Sequence, residues 1–420
     1  MPLVEPGRAA QVREKPLGLR GVAFIMGRPV IVSSCRSAIG KFQGSLSRFT
    51  APELGALAVA EAVRRAGIEP ASVEEVLMGN VLQAGLGQNP ARQASRGAGI
   101  PDEVGAVTIN KVCGSGLKTV MLAAQAIKAG DLGCAVAGGM ESMTNTPYYL
   151  SQARRGQRLG HGKLIDGLVH DGLWDAYNDF HMGLTAELVA KEHPVTRDEQ
   201  DAYAFQSQSR AVNAQEAGRF DDEIFPIEVK GKKGEVTVFE SDEGPRADSG
   251  IEGLAKLRPA FQEGGTVTPG NSSTINDGAS ALVVMDEDVA LAAGMVPHAR
   301  ILGYATGGMA PEWVMMAPEI AVRKICSQLN CEPSDFDLVE LNEAFAAQCV
   351  ALIARLKLDP EKVNVNGGGI ALGHPIGCSG ARILTTLLHA LEDRGLDRGL
   401  AALCLGGGNA VAMAVERMGK

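Results

Sequence analysis

Three side chains in this 420-residue chain sit in glycine-rich turns and carry groups able to make or break covalent bonds. Cys113 lies in NKVCGSGL, between a strand pattern and a helix pattern. A thiol at a helix N-terminus meets unpaired N–H groups and the positive end of the helix dipole, which lower its pKa and favour the nucleophilic thiolate. His374 lies in NGGGIALGHPIGCSGAR, residues 366–382, where six glycines surround one imidazole. Glycine at this density costs conformational entropy and points to backbone that must approach something closely. An imidazole in such a loop can deprotonate a thiol, the arrangement of cysteine–histidine covalent catalysis. Cys404 lies near the strand end ALCL, ahead of GGGN. A second thiol suits proton transfer near neutral pH, and the glycine N–H groups after it can hold an oxyanion. The plainer readings are that both thiols are small core residues, the commonest fate of free cysteine, and that the histidine satisfies loop carbonyls.

Asn342 and Glu343 open NEAFAAQ. Asparagine is a favoured helix cap; the functional reading is an amide that holds a water or an oxyanion. His181, in FHMGLTAE, precedes a helix and can line a pocket. Cys378 and Ser379, beside the glycine loop, read as structural. His161, His170, His193 and His389 have no comparable context.

Strands alternating with helices must position these groups. RPVIVSS (28–34) is a buried-strand pattern, ELGALAVAEAVRRAG (53–67) an amphipathic helix ending in glycine, and VEEVLMGNVL (73–82) a strand into a glycine turn. Residues 104–130 run strand, tight turn, helix, and CAVAGGMESM (134–143) is a strand ending in two glycines. This alternation predicts βαβ units and a largely parallel sheet. Residues 145–265 are polar, with one clear helix over 196–218 that starts on the capping box Thr196/Glu199, and read as an insertion. An internal repeat supports two halves: CGSGLKTVMLAAQAI from Cys113 matches GCSGARILTTLLHAL from Gly377, and CAVAGGMES from Cys134 matches AALCLGGGN from Ala401.

Composition narrows the function classes. A hydrophobic content of 45% with 21% charged residues fits a globular chain, long enough for more than one domain. The net charge of −9 gives no basic footprint for nucleic acid. The eight cysteines form no CxxC pair and no zinc-spaced Cys/His cluster, so no metal site is expected and the thiols read as reduced. No apolar run reaches the roughly 18–20 residues of a membrane helix. Residues 1–26 carry Arg8, Arg13, Lys15 and Arg20 against Glu5 and Glu14, with no signal-peptide core. They are expected to be a disordered extension, or to precede a functional start at Met26; a mitochondrial transit peptide would be poorer in acid and richer in serine.

Ten ordered segments spanning residues 28–417 together resemble the thiolase family: SAIGKFQGSL, GQNPARQ, NKVCGSGLK, GGMESM, HMGLTAE, KLRPAF, TVTPGNSSTINDGA, LNEAFAAQ, NGGGIALGHPIGCSGAR and CLGGGN. The resemblance implies an α/β thiolase fold, a five-layered αβαβα arrangement of two βαβαβαββ halves with an inserted loop domain. The corresponding boundaries are 27–144 plus 275–296 for the first half, 145–274 for the loop domain and 297–420 for the second half. It also implies Cys113 as the acyl-accepting nucleophile, His374 as its activator and Cys404 as the base that removes an α-proton. Asn342 would hold a water that forms one oxyanion hole with His374, and the N–H groups of Cys113 and Gly406 would form another. The implied substrates are acyl-CoA thioesters, with no cofactor, since coenzyme A is itself substrate and product. Its pantetheine arm would meet Ser273 and His181, and its phosphates Arg246.

The implied reaction is reversible condensation of two acetyl-CoA to acetoacetyl-CoA and CoA, with cleavage of longer 3-ketoacyl-CoA as the alternative. PEWVMMAPEIA (311–321) departs from the MGxGP pattern of short-chain members at Val314, Met315 and Met316, and Asn409 and Ala410 also depart from the usual final motif. Chain length therefore stays open. A decarboxylating ketosynthase, which pairs one cysteine with two histidines, is disfavoured by Cys404. The family further implies a homotetramer or homodimer, with RRGQRLGHGK (154–163) where the tetramer contact usually lies, and a cytoplasmic location.

Overall fold

The computed structural model of the protein describes residues 26–231 and 234–419. The expectation for residues 1–26 lies outside the described residues apart from Met26. The first half runs β1 (Pro29–Ser37), α1 (Ala51–Ala66), β2 (Glu75–Gly79), α2 (Pro90–Gly97), β3 (Gly105–Ile109), α3 (Ser115–Ala129) and β4 (Cys134–Ser142). After an insertion containing α4 (Met182–Glu192) and α5 (Arg197–Glu216), the half closes with β5 (Asn276–Asp286). The second half runs β6 (Ala299–Gly308), α6 (Ala317–Leu329), β7 (Leu338–Leu341), α7 (Ala346–Leu356), α8 (Ser379–Arg394), β8 (Arg398–Leu405) and β9 (Asn409–Arg417).

Strand order mirrors about the middle. The first half pairs as β3-β2-β4-β5-β1 and the second as β6-β9-β8-β7. The fifth strand of the second half is reduced to one parallel bridge, Val339 to Val363. The sheet is mixed, not largely parallel as expected: β2 runs parallel to β3 and β4 and β7 to β8, while β1 with β5, β4 with β5, β1 with β6, β6 with β9 and β8 with β9 pair antiparallel. The two sheets of the expected layering are joined at one corner, where β1 and β6 pair through Val30–Arg300 and Ile31–Ala299. Helices α3 and α8 pack against each other between the sheets, α1 and α2 cover the outer face of the first, and α6 lies on the outer face of the second with α7 beside it. Strands covered on both faces need no alternation of apolar and polar residues; all nine residues of β1 and of β4 are buried.

Local signals set the element ends. α1 starts on a Thr50/Glu53 capping box and ends at Gly67 in the left-handed region, φ 66°. α5 starts on the Thr196/Glu199 box. The predicted strand end at Gly138 and Gly139 is not an end: β4 runs on to Ser142. These glycines serve close approach instead. A Cβ at Gly138 would lie 2.3 Å from the Ser280 carbonyl oxygen, and one at Gly139 would lie 2.1 Å from that of Gly377.

The insertion is anchored by a buried ion cluster. Arg36 on β1 meets Glu223 at 2.5 Å and Asp242 at 2.7 Å, with side chains fully or almost fully buried. Beside it, residues Ile224–Phe225 pair in parallel with the end of β1.

Candidate active site

Helices α3 and α8 start side by side, and glycines permit it. A Cβ at Gly116 would sit 2.7 Å from the Ala381 nitrogen, and one at Gly380 2.4 Å from the Leu117 nitrogen. The turn into α3 therefore lies against the His374 loop, although the two are more than 250 residues apart in sequence.

Cys113 sits at the head of α3, after Val112 at φ 47°. A β-branched residue rarely adopts this left-handed conformation, which costs about 1–3 kcal/mol. Ser115 holds the turn: its hydroxyl donates to the Val112 carbonyl (2.6 Å) and accepts from the Lys111 N–H (2.8 Å). The backbone N–H groups of Gly406 and of Cys113 itself lie toward the Cys113 sulfur and act to lower its pKa. The expectation of a lowered thiol pKa is corrected here. Burial pushes Cys113 up to about 11, outweighing both N–H groups, because enclosing protein disfavours the thiolate more than the helix end favours it. The resting thiol is protonated and needs a base.

His374 is almost fully buried. Its Nδ1 lies 2.6 Å from the Ser379 Oγ, which in turn donates to the Pro375 carbonyl at 2.8 Å. A hydroxyl has one proton. With that proton on Pro375, Ser379 accepts from Nδ1–H, and Nε2 is left unprotonated. Nε2 faces the Asn342 amide nitrogen at 3.5 Å. Burial, helped by the buried Arg382 guanidinium, lowers the imidazole to about 3, so it rests neutral. Ser379, read from sequence as structural, is thus a positioning residue. Its signal was a hydroxyl five residues after the histidine, at the first position of a helix.

Asn342 does not cap a helix. α7 begins at Ala346 with Phe345 as its cap, and the Asn342 side chain points at His374 instead. Glu343 accepts hydrogen bonds from Tyr203 (3.0 Å), Ser207 (2.6 Å), Asn364 (2.9 Å) and the Ile370 N–H (3.1 Å), tying α5 and the glycine loop to the end of β7. Glu141 does the same on the other side, accepting from Asn80, Val81, Leu82 and Gly377. Burial raises its carboxyl to about 7. Neither network was visible in the sequence.

Cys404 lies one residue before the end of β8, with its sulfur 3.8 Å from the Met315 sulfur. Burial first, and the neighbouring Cys113 second, hold its thiol far above the ordinary range, opposed in part by the Gln348 amide.

One cavity of about 640 Å³ gathers these groups. Cys113, His374, Cys404 and Gly406 line it, as do His181, Ser273 and Arg246; Asn342 stands behind His374. Leu254, Leu257, Phe261, Phe345 and Ile370 give it apolar walls. His181 accepts the Gly183 N–H at Nδ1 (3.0 Å), so Nε2 carries its proton, and its ring stacks on Phe261 at 4.9 Å. Ser273 is held by its N–H on the Ala344 carbonyl at 2.9 Å. Arg246 is exposed and has no ion-pair partner among the described residues. Cys113, His374, Cys404, Gly406, His181, Ser273 and Arg246 therefore line one cavity, while Asn342 reaches it only through His374 and Glu343 does not line it. Among the described residues no group of three or more His, Cys, Asp or Glu is arranged to hold a metal ion, and no helix is long and apolar enough to cross a membrane.

Two family models match the chain: the thiolase N-terminal domain over residues 29–288 and the thiolase C-terminal domain over residues 295–417. The chain belongs to the thiolase family. It is 55% identical over 390 residues to an acetyl-CoA acetyltransferase of Escherichia coli, covering 93% of this chain and 99% of the relative. It is 53% identical over 388 residues to one of Cupriavidus necator, covering 92% and 99%. The crystal structure of the Bacillus anthracis acetyl-CoA acetyltransferase superposes with a TM-score of 0.92 at 46% identity, covering 94% of this chain and 99% of that one.

Proposed function

We propose that this enzyme condenses two molecules of acetyl-CoA to acetoacetyl-CoA and CoA, reversibly, through an acetyl-Cys113 intermediate. The observation that carries this is the meeting of two thiols and an imidazole with a free Nε2 in one apolar-walled cavity. In the first half-reaction Nε2 of His374 takes the Cys113 proton and the thiolate attacks the acetyl carbonyl. The imidazolium then protonates the departing CoA sulfur. In the second, Nε2 of His374 takes the Cys404 proton, the Cys404 thiolate removes an α-proton from a second acetyl-CoA, and the enolate attacks acetyl-Cys113. The imidazolium gives its proton to the Cys113 sulfur as acetoacetyl-CoA leaves, and Cys404 keeps the α-proton as its thiol.

The N–H groups of Cys113 and Gly406 suit the oxyanion of the acyl-cysteine stage, as donors placed where charge develops. His374 and a water on Asn342 suit the enolate. At that stage the ring is the imidazolium, with Nδ1–H still on Ser379 and Nε2–H presented to the enolate. No cofactor is required by this scheme. Coenzyme A would thread past Ser273 and His181 with its phosphates toward Arg246. Assembly as a homotetramer or homodimer in the cytoplasm belongs to the same proposal, supported by the exposed Tyr148, Leu150, Leu159 and Leu164 on the 148–164 loop.

The test is steady-state thiolysis of acetoacetyl-CoA, 3-ketohexanoyl-CoA and 3-ketodecanoyl-CoA. Activity concentrated on the shortest substrate is expected, and its loss in Cys113→Ala. Equal or faster turnover of the longer substrates would move the assignment to a broad 3-ketoacyl-CoA thiolase, and activity surviving in Cys113→Ala would overturn the mechanism.

A further inference from the structure

Six of the eight cysteines have no part in the mechanism, and two of these meet. Helix α6 ends in a Schellman turn: Asn330 is left-handed at φ 51°, and the Cys331 N–H donates to the Cys326 carbonyl at 3.0 Å. This hydrogen bond makes Cys326 the C3 residue and Cys331 the C″ residue, the pair of positions whose side chains come into contact in this motif. In most such turns these two positions hold apolar side chains; here they hold two thiols. Cys331 is among the groups that raise the Cys326 thiol, which places the two side chains near each other. Both thiols are free in this structure, Cys326 buried and Cys331 partly exposed. Cys331 also lines a small surface cavity of about 120 Å³ with Leu302, Leu329, Asp335, Phe336 and Arg398. Neither cysteine lines the catalytic cavity.

We infer that Cys326 and Cys331 form a thiol–disulfide exchange site that closes to an intramolecular disulfide when the protein meets a low-molecular-weight disulfide. The reagent, RSSR, enters the surface cavity, and the Cys331 thiolate attacks it. A mixed Cys331–S–SR disulfide forms and one RS⁻ leaves. The Cys326 thiolate then attacks the Cys331 sulfur and expels the second RS⁻. The two thiol protons end on the two leaving sulfurs, so one RSSR is reduced to two RSH and one protein disulfide forms. Cys331 is the entry sulfur because it alone of the two is reachable, and thiolate character and access together govern such exchange. The second step is slower at neutral pH than at pH 9, since burial pushes the Cys326 thiol up to about 12.

The experiment incubates the full-length protein in glutathione buffers of rising glutathione disulfide content, alkylates free thiols, digests, and sequences the peptides by mass spectrometry. The expected product is one crosslink, Cys326 to Cys331, two hydrogens lighter than the dithiol, absent from Cys331→Ser and formed faster at pH 9 than at pH 7. Cys331→Ser keeps wild-type acetoacetyl-CoA thiolysis, which shows that the variant is folded; Cys326→Ser is the second variant and also loses the crosslink. Recovery of both cysteines as alkylated thiols throughout the series would overturn the inference. So would a mixed glutathione disulfide on Cys331 that never resolves, or a crosslink of either residue to any other cysteine.

Discussion

Replacing Ser379 by alanine tests the central geometric claim, that a hydroxyl sets which imidazole nitrogen faces the substrate. The substitution deletes two contacts, the 2.6 Å approach to His374 Nδ1 and the 2.8 Å bond to the Pro375 carbonyl. Both partners are buried, and Ser379 itself is fully buried. Leaving a buried donor without a partner costs about 1–3 kcal/mol. If that cost falls on the productive ring orientation, the rate drops roughly 5- to 150-fold, at about 1.4 kcal/mol per factor of ten. The assay is steady-state thiolysis of acetoacetyl-CoA. The kcat is expected to fall by that factor with KM for CoA nearly unchanged, because Ser379 does not line the cavity. Ser379→Thr keeps a hydroxyl and should recover most of the rate. Thermal melting of both variants separates positioning from loss of fold. A Ser379→Ala enzyme within twofold of wild-type kcat, or a threonine variant as slow as alanine, would refute the reasoning.

Three further outcomes follow from the same structure. His374 titrates near 3 in the fold and near 6.5 when unfolded. Between these values the unfolded chain binds the extra proton, so this histidine removes stability as pH falls, by about 1.4 kcal/mol per pH unit. Glu141, raised to about 7, acts in the opposite sense between about pH 4.5 and 7. The His374 contribution is therefore read as a difference: in urea titrations from pH 6.5 to 4, wild type should lose stability relative to His374→Asn, and parallel curves would reject the buried neutral imidazole. Alkylation of Cys113 by iodoacetamide should accelerate roughly tenfold per pH unit from pH 7 to 10, as the thiolate fraction of a group near 11 rises; a plateau below pH 9 would contradict that value. Gly139→Ala puts a Cβ 2.1 Å from the Gly377 carbonyl oxygen. It should destabilise by about 1–3 kcal/mol or more and lower kcat by displacing the His374 loop; a melting temperature within 1–2 °C of wild type would show that this approach is not tight.

Much of the fold was legible because its determinants are local. The capping box at Thr196 and the glycine after α1 are contacts within one turn of chain, and the helices begin and end where these signals stand. The repeat at Cys113 and Gly377 announced two equivalent halves, and the structure returns two mirrored strand orders. The fifth, edge strand of the second half was not legible. It shrinks to a single Val339–Val363 bridge, and strand length depends on neighbours supplied by other parts of the chain.

The sequence by itself determined the chemical inventory: two thiols and an imidazole, each in a turn whose glycines give the backbone room to approach. Tertiary structure decided how those groups behave. Burial overrode the helix end at Cys113 and raised its pKa, because desolvation depends on everything packed around a group and not on its flanking residues. It sent Asn342 to His374 instead of to a helix cap, and set Met315 against Cys404, residues 89 apart in the chain. It also left Nε2 of His374, and not Nδ1, unprotonated. Ser379 is only five residues away, yet its hydroxyl reaches Nδ1 only because the loop turns at Pro375 and packs against the start of α3. Residue types and short-range hydrogen bonds are written along the chain; dielectric surroundings and contacts between distant segments exist only once it has folded.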